Sequence, residues 1–382
     1  MLAALARHVG RYLCRYEPDP VTMRILFRLL ACRTAQLGKH LFVCKDCGAK
    51  IPVHNSCRDR HCPQCQGKAT ALWLEARRER LLPTPHFQVV FTLPSELRPI
   101  AFDNQALVYA LLFRAAASVL QDLAAQRLEA RLGILSVLHT WSSELGYHPH
   151  LHCLVTAGGL HQDDARWKPS GDDYLFPQLV MGAMFRGRFL EGLIDAFDNG
   201  KLQLRGDAPE AAKNFRSMTR ALSKRHARWV VHVEPPKGRP VEHVVGYLAR
   251  YVKRVAIADS RVLAITDTTV TIATRKGPRV LPGPEFVRRF LNHVLLRSFR
   301  KVRYYGLYAP GNAKHRHENA RELLVLTNDE SELRRADDAK SELDEVTHKK
   351  ARRAPWRCQV CMRGVSVSDG PPVTLLDVRR RS

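Results

Sequence analysis

The feature that most limits how this chain can fold is a pair of cysteine knuckles near the N-terminus. Cys44 and Cys47 form one Cys-x2-Cys pair, Cys62 and Cys65 a second, with 14 residues between them. Four thiolates delivered by two tight turns can close a tetrahedral shell around zinc. A closed shell leaves no position for water, so its task is to fold a module too small to own a core. Buried thiols acting as small hydrophobes would not explain two knuckles within 22 residues. Cys57 and His61 lie between the pairs, giving six candidates for four positions. The expected set is Cys44, Cys47, Cys62 and Cys65, with Cys57 as the main competitor, and one structural zinc per chain. Lys45, Lys50, Arg58, Arg60 and Lys68 surround the module, which fits contact with phosphates. A further pair, Cys358 and Cys361, stands alone near the C-terminus, and two ligands do not make a zinc site. It either borrows ligands from elsewhere in the chain or from another chain, or remains a pair of exposed thiols in a flexible tail.

Charge narrows the partner. Lys and Arg number 61 against 37 Asp and Glu in 382 residues, and the resulting +24 favours a polyanion, nucleic acid first. The basic residues sit in segments of mixed polarity rather than on one amphipathic face, which argues against a membrane surface. Arg7, Arg11 and Arg15 interrupt the apolar start, so no signal segment is read there. No stretch is expected to reach the roughly 20 apolar residues of a membrane span. The expectation is a cytoplasmic protein, nucleoid-associated when bound to DNA, in whose reducing surroundings close cysteine pairs mean metal more often than disulfide.

Periodicity predicts helix to about residue 40 and over 72–82, where Pro83 stops it, then a strand over 86–93. A helix over 100–132 ends at Gly133, and strands 134–141 and 150–156 follow, joined by a polar loop. Helix is expected over 177–197, 241–258 and 284–299, extended chain over 229–233, and two short strands near 261–274. From about 328 the sequence turns charged and poor in aromatics. This order predicts an α+β fold, an antiparallel sheet with helices on one side.

Two patterns carry chemistry. In HPHLHC, His150 and His152 alternate along a predicted strand, so both imidazoles face one side while Leu151 and Cys153 face the other. Two imidazoles so placed can chelate one divalent ion, although isolated His-x-His triplets recur in many sheets without a metal. A hairpin turn near Leu145 and Gly146 would set His139 opposite His152 as third ligand, with Glu144 the alternative because a carboxylate suits a hard cation. In GYLARYVKRVAI, Tyr247 and Tyr251 stand four apart and share one helical face. Such pairs often serve packing alone. Here eleven Lys or Arg between residues 213 and 254 oppose only Glu234 and Glu242, so the surroundings favour phenolate. A phenol of pKa near ~10 attacks a phosphodiester only with such help, and a metal can polarise the phosphate. The product, a covalent phosphotyrosine, keeps the bond for rejoining without ATP. Tyr304 and Tyr305 are the next candidates should both phenols prove inert.

The segments ACRTAQLGKH, NSCRDRHCPQCQG, FQVVFTLP, VLHTWSSELGYHPHLHCLV, GYLARYVKRVAI and VRYYGLYAP stand in one order over residues 25–310. By them the chain resembles the transposases of the insertion-sequence-91 type, two-tyrosine enzymes of the His-hydrophobic-His nuclease superfamily. The resemblance implies a ferredoxin-like nuclease core with His150 and His152 on its central strand and Tyr247 and Tyr251 on a helix beneath the metal. It also implies magnesium or manganese as the catalytic ion, and single-stranded DNA at element ends and targets as substrate. Cleavage would leave a 5′-phosphotyrosine and a free 3′-hydroxyl, and transposition would follow a rolling-circle route. Self-association into a homo-oligomer is left open. The expected division is a helical and zinc-binding DNA-binding domain at 1–83, the nuclease domain at 84–310, and a charged linker and tail at 311–382. The tail departs from the fuller cysteine-containing end of that family, and Lys253 lies near, not between, the tyrosines, so it is assigned no role. Two rivals remain: a rolling-circle replication initiator or relaxase with the same chemistry, and a non-catalytic zinc-dependent DNA-binding regulator.

Overall fold

A computed structural model describes residues 1–78, 80–171, 173–224, 229–236, 256–311, 313–336, 360–361 and 366–368. Tyr247, Tyr251 and the helix expected over 241–258, save its last three residues, lie outside the described residues.

Helices α1 (Leu2–Leu13) and α2 (Pro20–Leu30) open the chain. The Asp19 carboxylate caps α2 by accepting from the Val21 and Thr22 amides, and Pro20 supplies helical φ without an amide to satisfy. Helix stops there rather than near residue 40. Arg33 at φ 58° and Gly38 at φ 76° turn the chain into a hairpin, β1 (Lys39–Cys44) and β2 (Lys50–His54), followed by α3 (Gln66–Arg78).

The central sheet starts at β3 (His86–Thr92) and runs through α4 (Arg98–Asp103) and α5 (Gln105–Arg127) to β4 (Ala130–Trp141) and β5 (Tyr147–His161). Short β6 (Trp167–Pro169), α6 (Gln178–Asp198) and α7 (Ala208–Lys224) lead to β7 (Val231–Glu234). The spatial order β7-β3-β5-β4, antiparallel throughout, is the ferredoxin-like arrangement with β5 inside the sheet, as expected. A second antiparallel sheet, β8 (Val262–Ile265), β9 (Thr269–Thr274) and β10 (Gly277–Pro282), is followed by α8 (Gly283–Leu291). Strand β11 (Val302–Gly306) then returns to the free edge of β4, helix α9 (Ala313–Ala336) follows, and β12 (Ser366–Ser368) pairs with β1. The strand β11 and helix α7 have no counterpart in the sequence reading. In VRYYG every residue is half-buried, so the strand shows no in–out alternation.

Alternation assigns each face of the sheet. Phe87, Val89 and Phe91 of β3 and Leu151, Cys153 and Val155 of β5 point to one side, where Leu112, Phe113 and Leu120 of α5 and Phe185 and Phe189 of α6 cover them. Helix α5 is long and apolar enough to cross a membrane, contrary to the expectation that no stretch would be. In its apolar window 61% is buried inside the protein, because it is the central helix under the sheet. On the opposite face, one half is covered by Leu81, Leu307 and Tyr308 with Ala320 and Leu324 of α9. A linker was expected from residue 311. Its first part is instead a packed helix, held also by the Arg321 guanidinium donating to the Leu81 carbonyl. Ala320, Leu323 and Leu324 meet the core while Val325 and Leu326 stay exposed, so only a narrow apolar face is packed, which the charged composition of α9 conceals.

The N-terminal helices share a third core with the C-terminal half. Leu5, Leu26 and Leu29 pack with Val270 and Ile272 of β9 and Phe286 and Phe290 of α8. Residues 1–30 are thus docked on the second sheet rather than on the cysteine module alone.

Candidate metal centres and the histidine pocket

The cysteines sort by space, not by sequence spacing. Cys32, Cys57, Cys62 and Cys65 converge, with Sγ–Sγ distances of 3.5 Å for Cys32–Cys65, 3.5 Å for Cys62–Cys32 and 3.6 Å for Cys57–Cys65. Sulfurs about 2.3 Å from a tetrahedral zinc stand ~3.8 Å apart, whereas a disulfide needs ~2.05 Å. The cluster therefore fits an ion held between four thiolates. Hydrogen bonding from Cys62 lowers Cys57 to about 5; the same contact raises Cys62, and burial raises Cys32 to about 11. Without an ion the cluster keeps Cys32 and Cys62 protonated; a cation at its centre would let all four sulfurs ionise and ligate.

The expected set of Cys44, Cys47, Cys62 and Cys65 is thereby divided. Cys62 and Cys65 join Cys32 and Cys57, while Cys44 and Cys47 lie with Cys361. The reason is the β1–β2 hairpin, which carries the first knuckle away from the second. Cys32, alone in ACRT at the end of α2, carries no local motif, so spacing could not reveal it. His61 is not a ligand: its Nδ1–H donates to Asp59 at 2.8 Å, and its Nε2 accepts from the Leu295 amide at 3.2 Å. Arg60 donates to the carbonyls of Phe299 and Leu296 at 2.7 and 2.9 Å, so it docks the module on the segment after α8 instead of reaching phosphates. Lys45, Lys50 and Arg58 remain exposed.

On the half of the sheet face that α9 leaves open, His139, His150 and His152 come together, one ligand atom from each lying within 4.8 Å of the others. The register differs from expectation. His139 pairs with His150, and Val137 with His152, with an irregularity between His139 and Trp141 that shifts the strands. His139 still reaches His152 diagonally, at 4.2 Å between ring centroids. Glu144, the alternative donor, is turned away into an ion pair with Arg279. Burial lowers His150 to about 4 and His152 to about 3, and drives His139 well below its ordinary value. All three are neutral at pH 7, the state in which imidazole ligates. His150 Nδ1–H donates to the His148 carbonyl at 2.7 Å, which leaves the Nε2 lone pair for an ion. The Gln88 amide nitrogen lies 3.2 Å from His152 Nδ1 and donates to it; only the flipped amide, with its oxygen accepting there, gives His152 the tautomer of His150.

These rings floor an open cavity of about 830 Å³. Its opposite wall is the second sheet, with Arg261 and Arg275, and its far side is β7, with His232 and Glu234. Gln88, His232, Glu234, Arg261 and Arg275 were not singled out in the sequence. The only local signal was a polar residue facing outward in the apolar run HFQVVFT, and the His-x-Glu of β7. Arg261 is rigidly set, its guanidinium donating to the carbonyls of Ala273 and Ser143.

A ferredoxin-like sheet with three convergent imidazoles in a cationic cleft, joined to a module with a four-cysteine cluster, sets the class: an α+β protein with a zinc-binding domain. The family models agree in both parts: one described as "Transposase zinc-binding domain" matches residues 4–93, and one described as "Putative transposase" matches residues 133–317. Among curated proteins, "Putative transposase y4qJ" of Sinorhizobium fredii is 41% identical over 359 residues, covering 91% of this chain and 89% of that protein. "Transposase for insertion sequence element IS801" of Pseudomonas savastanoi pv. phaseolicola is 31% identical over 303 residues, covering 76% and 70%. No solved structure matches the chain. The chain belongs to the insertion-sequence-91 family of transposases; its partner is DNA, and its activity is DNA cleavage.

Proposed function

We propose that this transposase cuts and rejoins single-stranded DNA at element ends through a 5′-phosphotyrosine, driving rolling-circle transposition. The observation that carries the reading is the convergence of His139, His150 and His152 on the floor of a cavity whose far wall bears Arg261 and Arg275. His139, His150 and His152 would hold magnesium or manganese, which supplies Lewis-acid polarisation of the scissile phosphate. Arg261 and Arg275 offset phosphate charge, so that an anionic backbone can approach buried, neutral histidines.

Tyr247 and Tyr251 are the proposed nucleophiles. Of the described residues that line the cavity, Glu234 and Arg261 are the nearest to them in sequence on either side. In the reaction the phenol gives up its proton, its oxygen bonds to phosphorus, and the bond from phosphorus to the 3′-oxygen breaks. That oxygen takes a proton and leaves as the 3′-hydroxyl, while the 5′-phosphate stays on tyrosine. A single strand can bend to bring one phosphate to the floor of the cavity, which a stiff duplex resists. A second tyrosine would hold one end while another is attacked.

The experiment is incubation with single-stranded element ends and metal, followed by denaturing gels for a protein–DNA adduct. Tyr247→Phe and Tyr251→Phe should each abolish complete transposition, at least one of them should still form the adduct, and the double variant should form none. An adduct in the double variant would move the nucleophile elsewhere, with Tyr304 and Tyr305 next to test.

A further inference from the structure

The knuckle that the four-sulfur cluster leaves aside meets a cysteine from the far end of the chain. Cys44 Sγ lies 3.8 Å from Cys361 Sγ, and the sulfurs of Cys44, Cys47 and Cys361 all fall within 4.8 Å of one another. We propose that these three thiolates form a second zinc site, which clamps the C-terminal segment onto the N-terminal hairpin.

Three independent features support it. The 3.8 Å separation is the edge of a tetrahedron of sulfurs about 2.3 Å from zinc, and nearly twice a disulfide length. The Cys44–Cys47 turn has the shape that presents two sulfurs to one ion. Gly48 takes φ 66° and its amide donates to the Cys44 carbonyl at 3.0 Å, while the Cys44 amide donates to Ala49 at 3.0 Å. Finally, β12 is annealed to β1 in register, Cys44 opposite Ser366, Val43 opposite Val367 and Phe42 opposite Ser368. A three-residue strand on a small hairpin cannot hold itself in place, and small sheets of this kind depend on a staple. Zinc between Cys44, Cys47 and Cys361 supplies one, and β12 in turn covers a β1 edge that would otherwise be open to pairing with other chains.

Cys361 lies beyond both family matches, which end at residues 93 and 317, so this site ties the catalytic chain's last segment to its zinc-binding domain. Cys44 and Cys361 are 317 positions apart, and the ion closes that whole loop. The chain would carry two zinc ions instead of the one that its N-terminal motif alone suggests.

Elemental analysis of full-length protein purified without chelator tests this directly. Two zinc per chain are expected, falling to one in Cys361→Ser and in Cys47→Ser. Hydrogen exchange at residues 42–44 should quicken in Cys361→Ser, because β12 loses its anchor. Cobalt substitution of the unaltered protein provides a reading that does not depend on any variant folding: the tetrahedral cobalt–thiolate absorption should saturate at two equivalents. Saturation at one equivalent, or two zinc retained in Cys361→Ser, would overturn the proposal.

Discussion

Tyr308→Phe removes one oxygen atom from a buried junction, and its effect can be worked out from three hydrogen bonds. His86, at the start of β3, donates from Nδ1 to the Thr84 carbonyl at 2.7 Å, so its Nε2 must accept; the Tyr308 hydroxyl donates to it at 2.6 Å. The same hydroxyl accepts from the Leu82 amide at 3.2 Å. The ring itself fits because residue 133 is glycine: a Cβ there would stand 2.9 Å from the Tyr308 ring. Phenylalanine keeps the packing but leaves His86 Nε2 and the Leu82 amide buried and without this partner. At about 1–3 kcal/mol for each such group, the loss is about 2–6 kcal/mol. That is a large share of the ~5–15 kcal/mol typical of a domain, so the urea midpoint followed by tryptophan fluorescence should fall sharply with little change in slope.

The pH dependence gives a second reading of the same junction. Burial lowers His86 to about 4 from 6.5. Above pH 6.5 both folded and unfolded chains hold it neutral, and its contribution is complete. As pH falls from 6.5 to 4, the unfolded chain takes a proton that the folded chain refuses, and about 3 kcal/mol is lost. In Tyr308→Phe the ring nitrogen no longer accepts from the hydroxyl, so it protonates more readily and the loss in acid shrinks. Equal midpoints for the two proteins at pH 7.5, or a gap between them that stays constant down to pH 4.5, would refute the reasoning.

Other consequences follow from the histidine and cysteine clusters and from the charge. His150→Ala with His152→Ala should leave DNA binding within a few-fold and reduce cleavage by at least ~100-fold, measured by gel shift and nicking of the same oligonucleotide; retained cleavage would make the histidines structural. Cys57→Ser should release one zinc and loosen residues 32–65 while the central sheet keeps its thermal transition, as hydrogen exchange can show. Affinity for single-stranded DNA should drop at least ~100-fold between about 50 and 200 mM salt, given the +24 charge, and a flat salt titration would count against phosphate-led binding.

Some of this architecture is local and could be read from the chain. A strand repeats every two residues, so His150 and His152 had to share a face and Leu151 and Cys153 had to enter the core beside Phe87 and Phe91. Asp19 before Pro20 announces a helix start for the same local reason. What the sequence could not decide is every relation between residues far apart along it. Cys32 carries no motif of its own and Cys361 belongs to a lone Cys-x2-Cys pair short of ligands, and both become candidate ligands only because α2 and the pairing of β12 with β1 bring them to sulfurs elsewhere. His139 does come beside His150 and His152, but on another register than the one expected, paired with His150 rather than His152, because the register depends on where the hairpin turns. Arg275 faces the histidines only because a second sheet folds over the first. Side-chain period is a property of one strand, whereas a metal shell or a pocket is a meeting of several elements, and that meeting is set by the packing of their cores.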